Sequence, residues 1–349
     1  MTRAEMQEHN RRKVIAAARV EFLARGFRDA KIDDIAERAE LTRGAVYSNF
    51  TSKRALYLTV LLSALEAPAP GAAPRTVADA LAAFARAWTA RLPLVADAMR
   101  LDAELLPEVL VSKPLHLPFA QLTGLAAVTL GLVLEQMDDS RDRMVRTAEA
   151  ALTTLHGASQ LAAAAPHFVD PFAVVAAVGH LARLDLGDGW PPPHLQFIPS
   201  ATPCDDPWSP PVGVIDALRE APAPLESDGL VAVLGLNRLI AVEEALRGVS
   251  AASGSPEQVT LVLVTADPGE LGPLARLCVA DLAACLRATV PPSGLPHLRI
   301  VHDETGEIAA AAAVHAPADG TEAALRIAGG RVIARATGYG ACHAAASYH

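Results

Sequence analysis

The chain has 349 residues, of which 51% are hydrophobic and 20% charged. That composition describes a folded protein long enough for two or three domains, and it excludes a disordered or fibrous chain. No stretch reads as a bilayer span, and the polar first dozen residues point away from a secretory signal. The four cysteines, Cys204, Cys278, Cys285 and Cys342, show no C-x-x-C spacing, which argues against a disulfide scaffold, a zinc ribbon or a dithiol redox centre. The formal net charge of −9 speaks against nucleic acid until its distribution is read. Residues 1–60 hold twelve Lys/Arg against eight acids, a balance of +4, and the remainder carries −13. A basic head on an acidic body suits a small DNA-binding module on a larger carrier.

From Arg11 the pattern is helical, with Val14, Ile15, Ala18 and Phe22 sharing one face. Gly26 closes this helix, since glycine tolerates the left-handed conformation common just past a helix end. A second short helix follows, with Ile32, Ile35, Ala36 and Ala39 as its apolar face and Asp33 and Asp34 in its first turn. A turn through Glu40 and Leu41 leads to Thr42, a good N-cap for a third helix over 43–49. Thr51 and Ser52 can cap a fourth helix beginning near Lys53. Two short helices joined by a tight turn, the second polar on its outer face, make a helix-turn-helix that fits a major groove. Arg43 can reach a guanine edge, while Tyr47 and Lys53 can hold phosphates. The same three helices without DNA would be a packing module.

Ile15, Ala18, Phe22 and Gly26-Phe27, then Ile32 and Ile35-Ala36, then Leu41-Thr42, Gly44, Tyr47, Phe50, Lys53 and Leu56 stand at spacings that resemble the tetracycline-repressor (TetR) family over about fifty residues. Four positions depart from it. Glu40 stands where Gly is usual, Lys31 where Ser or Thr is usual, Ala45 where Thr is common, and Arg54 where an acid is common. The lost hydroxyl at position 31 removes one usual phosphate contact, which the Lys31 ammonium can replace electrostatically. The residues expected at DNA are Lys31, Thr42, Arg43, Gly44, Tyr47, Ser48 and Lys53.

Residues 57–187 read as helices over 76–91, 93–106, 118–137, 140–164 and 170–184, after a Pro-rich connector at 67–74 and with Ser140 as a cap. The resemblance implies that the last two form a dimer interface and that the others enclose an effector pocket. Candidate lining residues are Phe84, Trp88, Met99, His116, Phe119, Met137 and His156, with ordinary core packing as the alternative for each. His116 falls in a loop between helices. Residues 188–212, rich in Pro, Ser and Asp, read as an extended linker in which Trp208 anchors to a surface.

Beyond 213 strands and helices alternate. Strands are expected at 229–236, 259–265 (a β-branched run buried on both faces), 298–301, 324–327 and 331–336, with helices at 238–249, 271–290, 307–314 and 341–348. This order, with His302-Asp303-Glu304-Thr305-Gly306-Glu307 before a helix, resembles the thioredoxin fold. The positions after the second strand, 265–270, contain no cysteine, which counts against thiol redox chemistry. Cys342, His343 and His349 form a weak metal set on a frayed end.

The expected fold is therefore multidomain. An all-α helix-turn-helix domain (1–56) and a helical effector-binding and dimerisation domain (57–187) are followed by a Pro-rich linker (188–212) and an α/β thioredoxin-like domain (213–349) able to fold on its own. The function expected is a bacterial, cytoplasmic, homodimeric regulator of transcription, a ligand-responsive repressor on a near-palindromic double-stranded operator. It would use a small-molecule effector and no cofactor, metal, catalytic residue or membrane partner. The alternatives are a thioredoxin-like redox enzyme or a protein-docking module fused to a DNA-binding head.

Overall fold

The computed structural model describes residues 2–65, 68–69, 71–92, 104–137, 143–165, 167–190, 198–253 and 257–348. Its first four helices are α1 (Arg3–Asp29), α2 (Ile32–Arg38), α3 (Arg43–Tyr47) and α4 (Lys53–Ser63). Thr2, Thr42 and Ser52 cap α1, α3 and α4 by accepting the backbone N–H three residues on. Gly26 takes φ +74° and breaks α1 where the sequence places its end. Val14, Ala18, Phe22, Ile35, Val46, Phe50 and Tyr57 meet in one core, with the Tyr57 ring edge-on to Phe22 at 5.4 Å.

Five more helices follow: α5 (Val77–Thr89), α6 (Leu105–Val111), α7 (Lys113–Glu135), α8 (Val145–Ala164) and α9 (Pro171–His180), the last continued by a 3₁₀ turn over Leu181–Arg183. The helix expected at 93–106 lies mostly outside the described residues, as do Met99 and Ser140. The loop expected around His116 is instead the first turn of α7, because Pro114 sits where its missing N–H costs nothing. By length and composition α7 is apolar enough to span a bilayer, contrary to the sequence reading. It packs against α8 and α6 within the protein.

The C-terminal region holds β1 (Thr202–Pro207), β2 (Ile215–Asp216), β3 (Ala221–Pro222), β4 (Gly229–Gly235), α10 (Val242–Ser253), β5 (Val259–Val264), α11 (Leu271–Thr289), β6 (Leu298–His302), α12 (Glu307–Ala311), β7 (Glu322–Ala328), β8 (Arg331–Thr337) and α13 (Ala341–Ala346). Six strands form a mixed sheet in the order β1-β8-β7-β4-β5-β6, parallel across β4, β5 and β6 and antiparallel elsewhere. Every residue of β4 and β5 is buried, as the β-branched run requires. Val231 and Val233 face one core with Trp208, and Leu230, Ala232 and Leu234 face the other.

Two expectations need correction. The thioredoxin-like resemblance rested on element order, and the sheet does not establish that fold. Its first long strand, β4, is flanked by β5 and then β6 on one side and by the β7–β8 hairpin on the other, and β1 adds an edge that the element order did not include. Nor is 188–212 an extended linker throughout, although Trp208 within it does anchor to the fold. Its residues 202–207 pair with β8, and Trp208 is buried with its Nε1–H donating to the Leu225 carbonyl at 2.8 Å. The two regions also share a core. Leu274, Leu277, Leu282 and Leu286 of α11 belong to the same apolar cluster as Leu56, Leu81 and Leu125 of α4, α5 and α7, against which α11 packs.

Candidate nucleic-acid interface and its cavity

The short helix α3 is held from both ends. Thr42 Oγ1 accepts the Ala45 N–H at 3.2 Å, and Asn49 Nδ2 donates to the Ala45 carbonyl at 2.8 Å. Val46 is buried beneath, so Arg43 and Tyr47 point outward, with the Arg43 guanidinium 5.7 Å from the Tyr47 ring and 3.5 Å from Asp33. Gly44 and Ser48 share this segment, and Ser48 Oγ donates to the Ala45 carbonyl at 2.9 Å. Lys31 is exposed at the N-terminus of α2, where it makes no side-chain cap, as expected of a residue without a hydroxyl. Glu40, in the usual glycine position, adopts φ +56° and so preserves the turn, with Lys13 Nζ 3.1 Å from its carboxylate.

Lys53 lies apart from this outer surface. Its ammonium donates to the carbonyls of Arg28 at 3.0 Å and Ala30 at 2.8 Å, and it sits 4.8 Å from the Phe27 ring. It thus ties the end of α1 to the start of α4, and its burial lowers its pKa from the ordinary lysine range.

The sequence reading missed a second contact at α4. Glu270, just before α11, accepts from Thr51 Oγ1 at 2.9 Å and from Arg54 at 3.0 Å, and Arg54 also reaches Ser112 at 2.8 Å. Burial alone would raise the Glu270 pKa, but the hydrogen bonds from Ser52, Thr51 and Arg54 hold it below the usual carboxylate value. A Cβ on Gly269 would fall 2.4 Å from Thr51 Cγ2, so the glycine permits this close approach. The one signal in the sequence was Arg54 itself, a cation where an acid is common, whose two acidic partners are Glu108, 54 residues away, and Glu270, 216 residues away.

A cavity of about 500 Å³ opens between α1, α4, α5, α6, α7, α8 and α11. Of the candidate lining residues it takes Trp88, Phe119 and His156. The His156 ring is edge-on to Trp88 at 4.9 Å and to Phe119 at 6.3 Å, and burial pushes its pKa below 6.5. Phe84 is instead a fully buried core residue, and Met137 packs against that core. His116 is exposed, its Nε2 3.2 Å from the Leu110 carbonyl oxygen. The charged lining that the sequence did not single out comprises Arg19, Arg91 and Asp281, with Arg91 bound to Asp281, and Thr123, Ser159 and Gln160 add neutral polar groups. Burial pushes the thiols of Cys278 and Cys285 up to about 12. Among the described residues no group of three or more His, Cys, Asp or Glu is placed to hold a metal ion, and Cys342 is a buried residue of α13.

Residues 14–60 match the model of the bacterial regulatory proteins of the tetR family. Two Pseudomonas putida proteins, the HTH-type transcriptional regulator SrpR and the uncharacterized HTH-type transcriptional regulator TtgW, are each 45% identical to this chain over 62 residues. That stretch is 18% of this chain and spans only 29% of SrpR and 46% of TtgW. A solved structure from Mesorhizobium loti, assigned to the TetR family of transcriptional regulators, covers 52% of this chain and 96% of its own at 17% identity, with a TM-score of 0.26. That likeness is too loose to carry an argument. Residues 14–60, with α2, a turn and the Thr42-capped α3 that faces Arg43 and Tyr47 outward, thus form a helix-turn-helix unit similar to that of the tetR family of bacterial regulatory proteins.

Proposed function

We propose that this chain is a DNA-binding regulator of transcription, a ligand-relieved repressor that acts as a homodimer on a near-palindromic operator. The observation that carries this is α3, fixed by its caps and by Val46 so that Arg43 and Tyr47 face outward at the N-terminal end of a helix narrow enough for the major groove. Arg43 would read a guanine, and Lys31, Thr42, Gly44, Tyr47 and Ser48 would hold the backbone. Lys53 would then act mainly by fixing α4, since its ammonium already has two carbonyl partners.

Exposed Leu161, Phe168, Phe172 and Leu184 on and beside α8 and α9 support a dimer through these elements, because a soluble monomer rarely leaves so much apolar surface in water. Leu155, on the same helix, is fully buried within the chain and belongs to the core rather than to that surface. Two half-sites lie roughly 34 Å apart, so a small change in head spacing ends simultaneous engagement. The cavity behind α4 supplies a place for an effector, which need only prefer the non-binding conformation. Such a protein works in the bacterial cytoplasm and needs no cofactor. The competing redox reading lacks chemistry: residues 265–270 contain no cysteine, and the thiols of α11 are held far above the range in which thiolates form.

Selection of bound duplexes from a random library tests the reading. The expected product is a motif with two-fold symmetry, and recovery of no preferred sequence would overturn it.

A further inference from the structure

The cavity draws its walls from both halves of the chain. Leu277, Cys278, Asp281 and Leu282 of α11 line it together with Trp88 and Phe119 of the helical body. Its charges are unequal. Arg91 is engaged by Asp281, by Cys285 Sγ at 2.9 Å and by the Trp88 ring at 5.7 Å. Arg19 makes no ion pair within 4 Å among the described residues. His156, kept neutral near pH 7 by burial, adds an aromatic wall rather than a charge. The lining therefore offers a mainly apolar, aromatic interior with a few neutral polar groups, and a positive charge on Arg19 that is unpaired among the described residues.

The same helix reaches the reading head. Asp281 lies eleven residues after Glu270, about 16 Å along a helix at ~1.5 Å per residue. Glu270 grips Thr51 and Arg54 at the start of α4, which follows α3 after a five-residue turn. A side chain displaced in the cavity wall thus moves a rigid element whose other end is bonded to the DNA-binding module.

We propose that the cavity binds a largely apolar molecule with a single anionic group, the anion seated on Arg19, and that α11 is the wall that registers it and passes the displacement to α4. This rests on reading the cavity as the effector site, and it assigns to the C-terminal region a part in ligand sensing.

The test uses the full chain and two dyes with the same aromatic body, anionic 1-anilinonaphthalene-8-sulfonate and neutral N-phenyl-1-naphthylamine. Fluorescence titration should give one site per chain with the anion bound about fivefold tighter, the scale of a partly exposed ion pair. Arg19→Gln, at an exposed position, should remove that preference, and Ala126→Trp should exclude both dyes by filling the cavity. Hydrogen exchange over residues 51–56 should change when the sulfonate binds. In Glu270→Gln the sulfonate should bind as before while residues 51–56 no longer respond. Equal affinities for the two dyes, or an Arg19→Gln protein that keeps the preference, would overturn the ligand class. Dye binding unaffected by Ala126→Trp would place the site elsewhere. A wild-type α4 that stays silent, or a Glu270→Gln protein that still responds, would overturn the role of α11. None of these readouts uses DNA, so they fail separately from the operator-binding reading.

Discussion

Lys53 and Arg43 carry the same charge within one module but differ in what they touch. Lys53 bonds two carbonyls at the end of α1, so Lys53→Ala should lower unfolding free energy by about 1–2 kcal/mol, read by denaturant titration of the full chain. Arg43 is exposed, so Arg43→Ala should leave stability within about 0.5 kcal/mol and weaken specific DNA binding by about 1–3 kcal/mol. Glu40 gives a third test. Its φ of +56° costs a residue with a Cβ, and its contact with Lys13 is exposed, so Glu40→Gly should stabilise the protein by about 0.5–1 kcal/mol in thermal unfolding. Thr42 and Gly26 were legible in the sequence because capping and left-handed turns are local properties of the chain. The inward turn of Lys53 was not, because spacing assigns a residue to a helix face and cannot show that unpaired carbonyls of another helix lie above it.

At the scale of elements, the joint between the two regions is polar as well as apolar. Arg143, just before α8, is buried with its guanidinium 2.7 Å from Glu243 of α10, 3.6 Å from Glu135 of α7 and 3.8 Å from the Trp190 ring. Burial raises the pKa of both glutamates more than Arg143 lowers it. The folded state therefore keeps protons that the unfolded chain releases, and stability falls as pH rises from about 4.5 through that raised range. Arg143→Met removes the compensating charge. It should cost about 3 kcal/mol at pH 8 and distinctly less at pH 5, where the two carboxyls can protonate, and equal losses at both would show that the glutamates are not coupled to Arg143. None of this was readable beforehand, since Glu243 comes from a segment read as a domain separate from that of Arg143 and Glu135. The strand β1 was hidden for a different reason. Its sequence, TPCDDP, has prolines near both ends and no apolar alternation, and it is tolerable only as a sheet edge.

Across the whole molecule, the helical body and the sheet region are joined through α11, which packs on α4, α5 and α7. Deleting residues 191–349 should therefore expose apolar faces of those three helices and yield a chain that aggregates or melts without cooperativity, checked by light scattering and circular dichroism. A soluble, cooperatively folded truncation would show that the shared core is dispensable. On the proposed function, α3 reads DNA while held by this joined body. Fluorescence anisotropy of a selected duplex, titrated with the full chain and with Arg43→Ala at one salt concentration, tests it most directly. Wild-type protein should prefer the selected duplex over a scrambled one, and Arg43→Ala should lose about fivefold or more on the selected duplex while scarcely changing on the scrambled one. Equal binding of both duplexes by the wild-type chain, or an Arg43→Ala protein with unaltered preference, would contradict it.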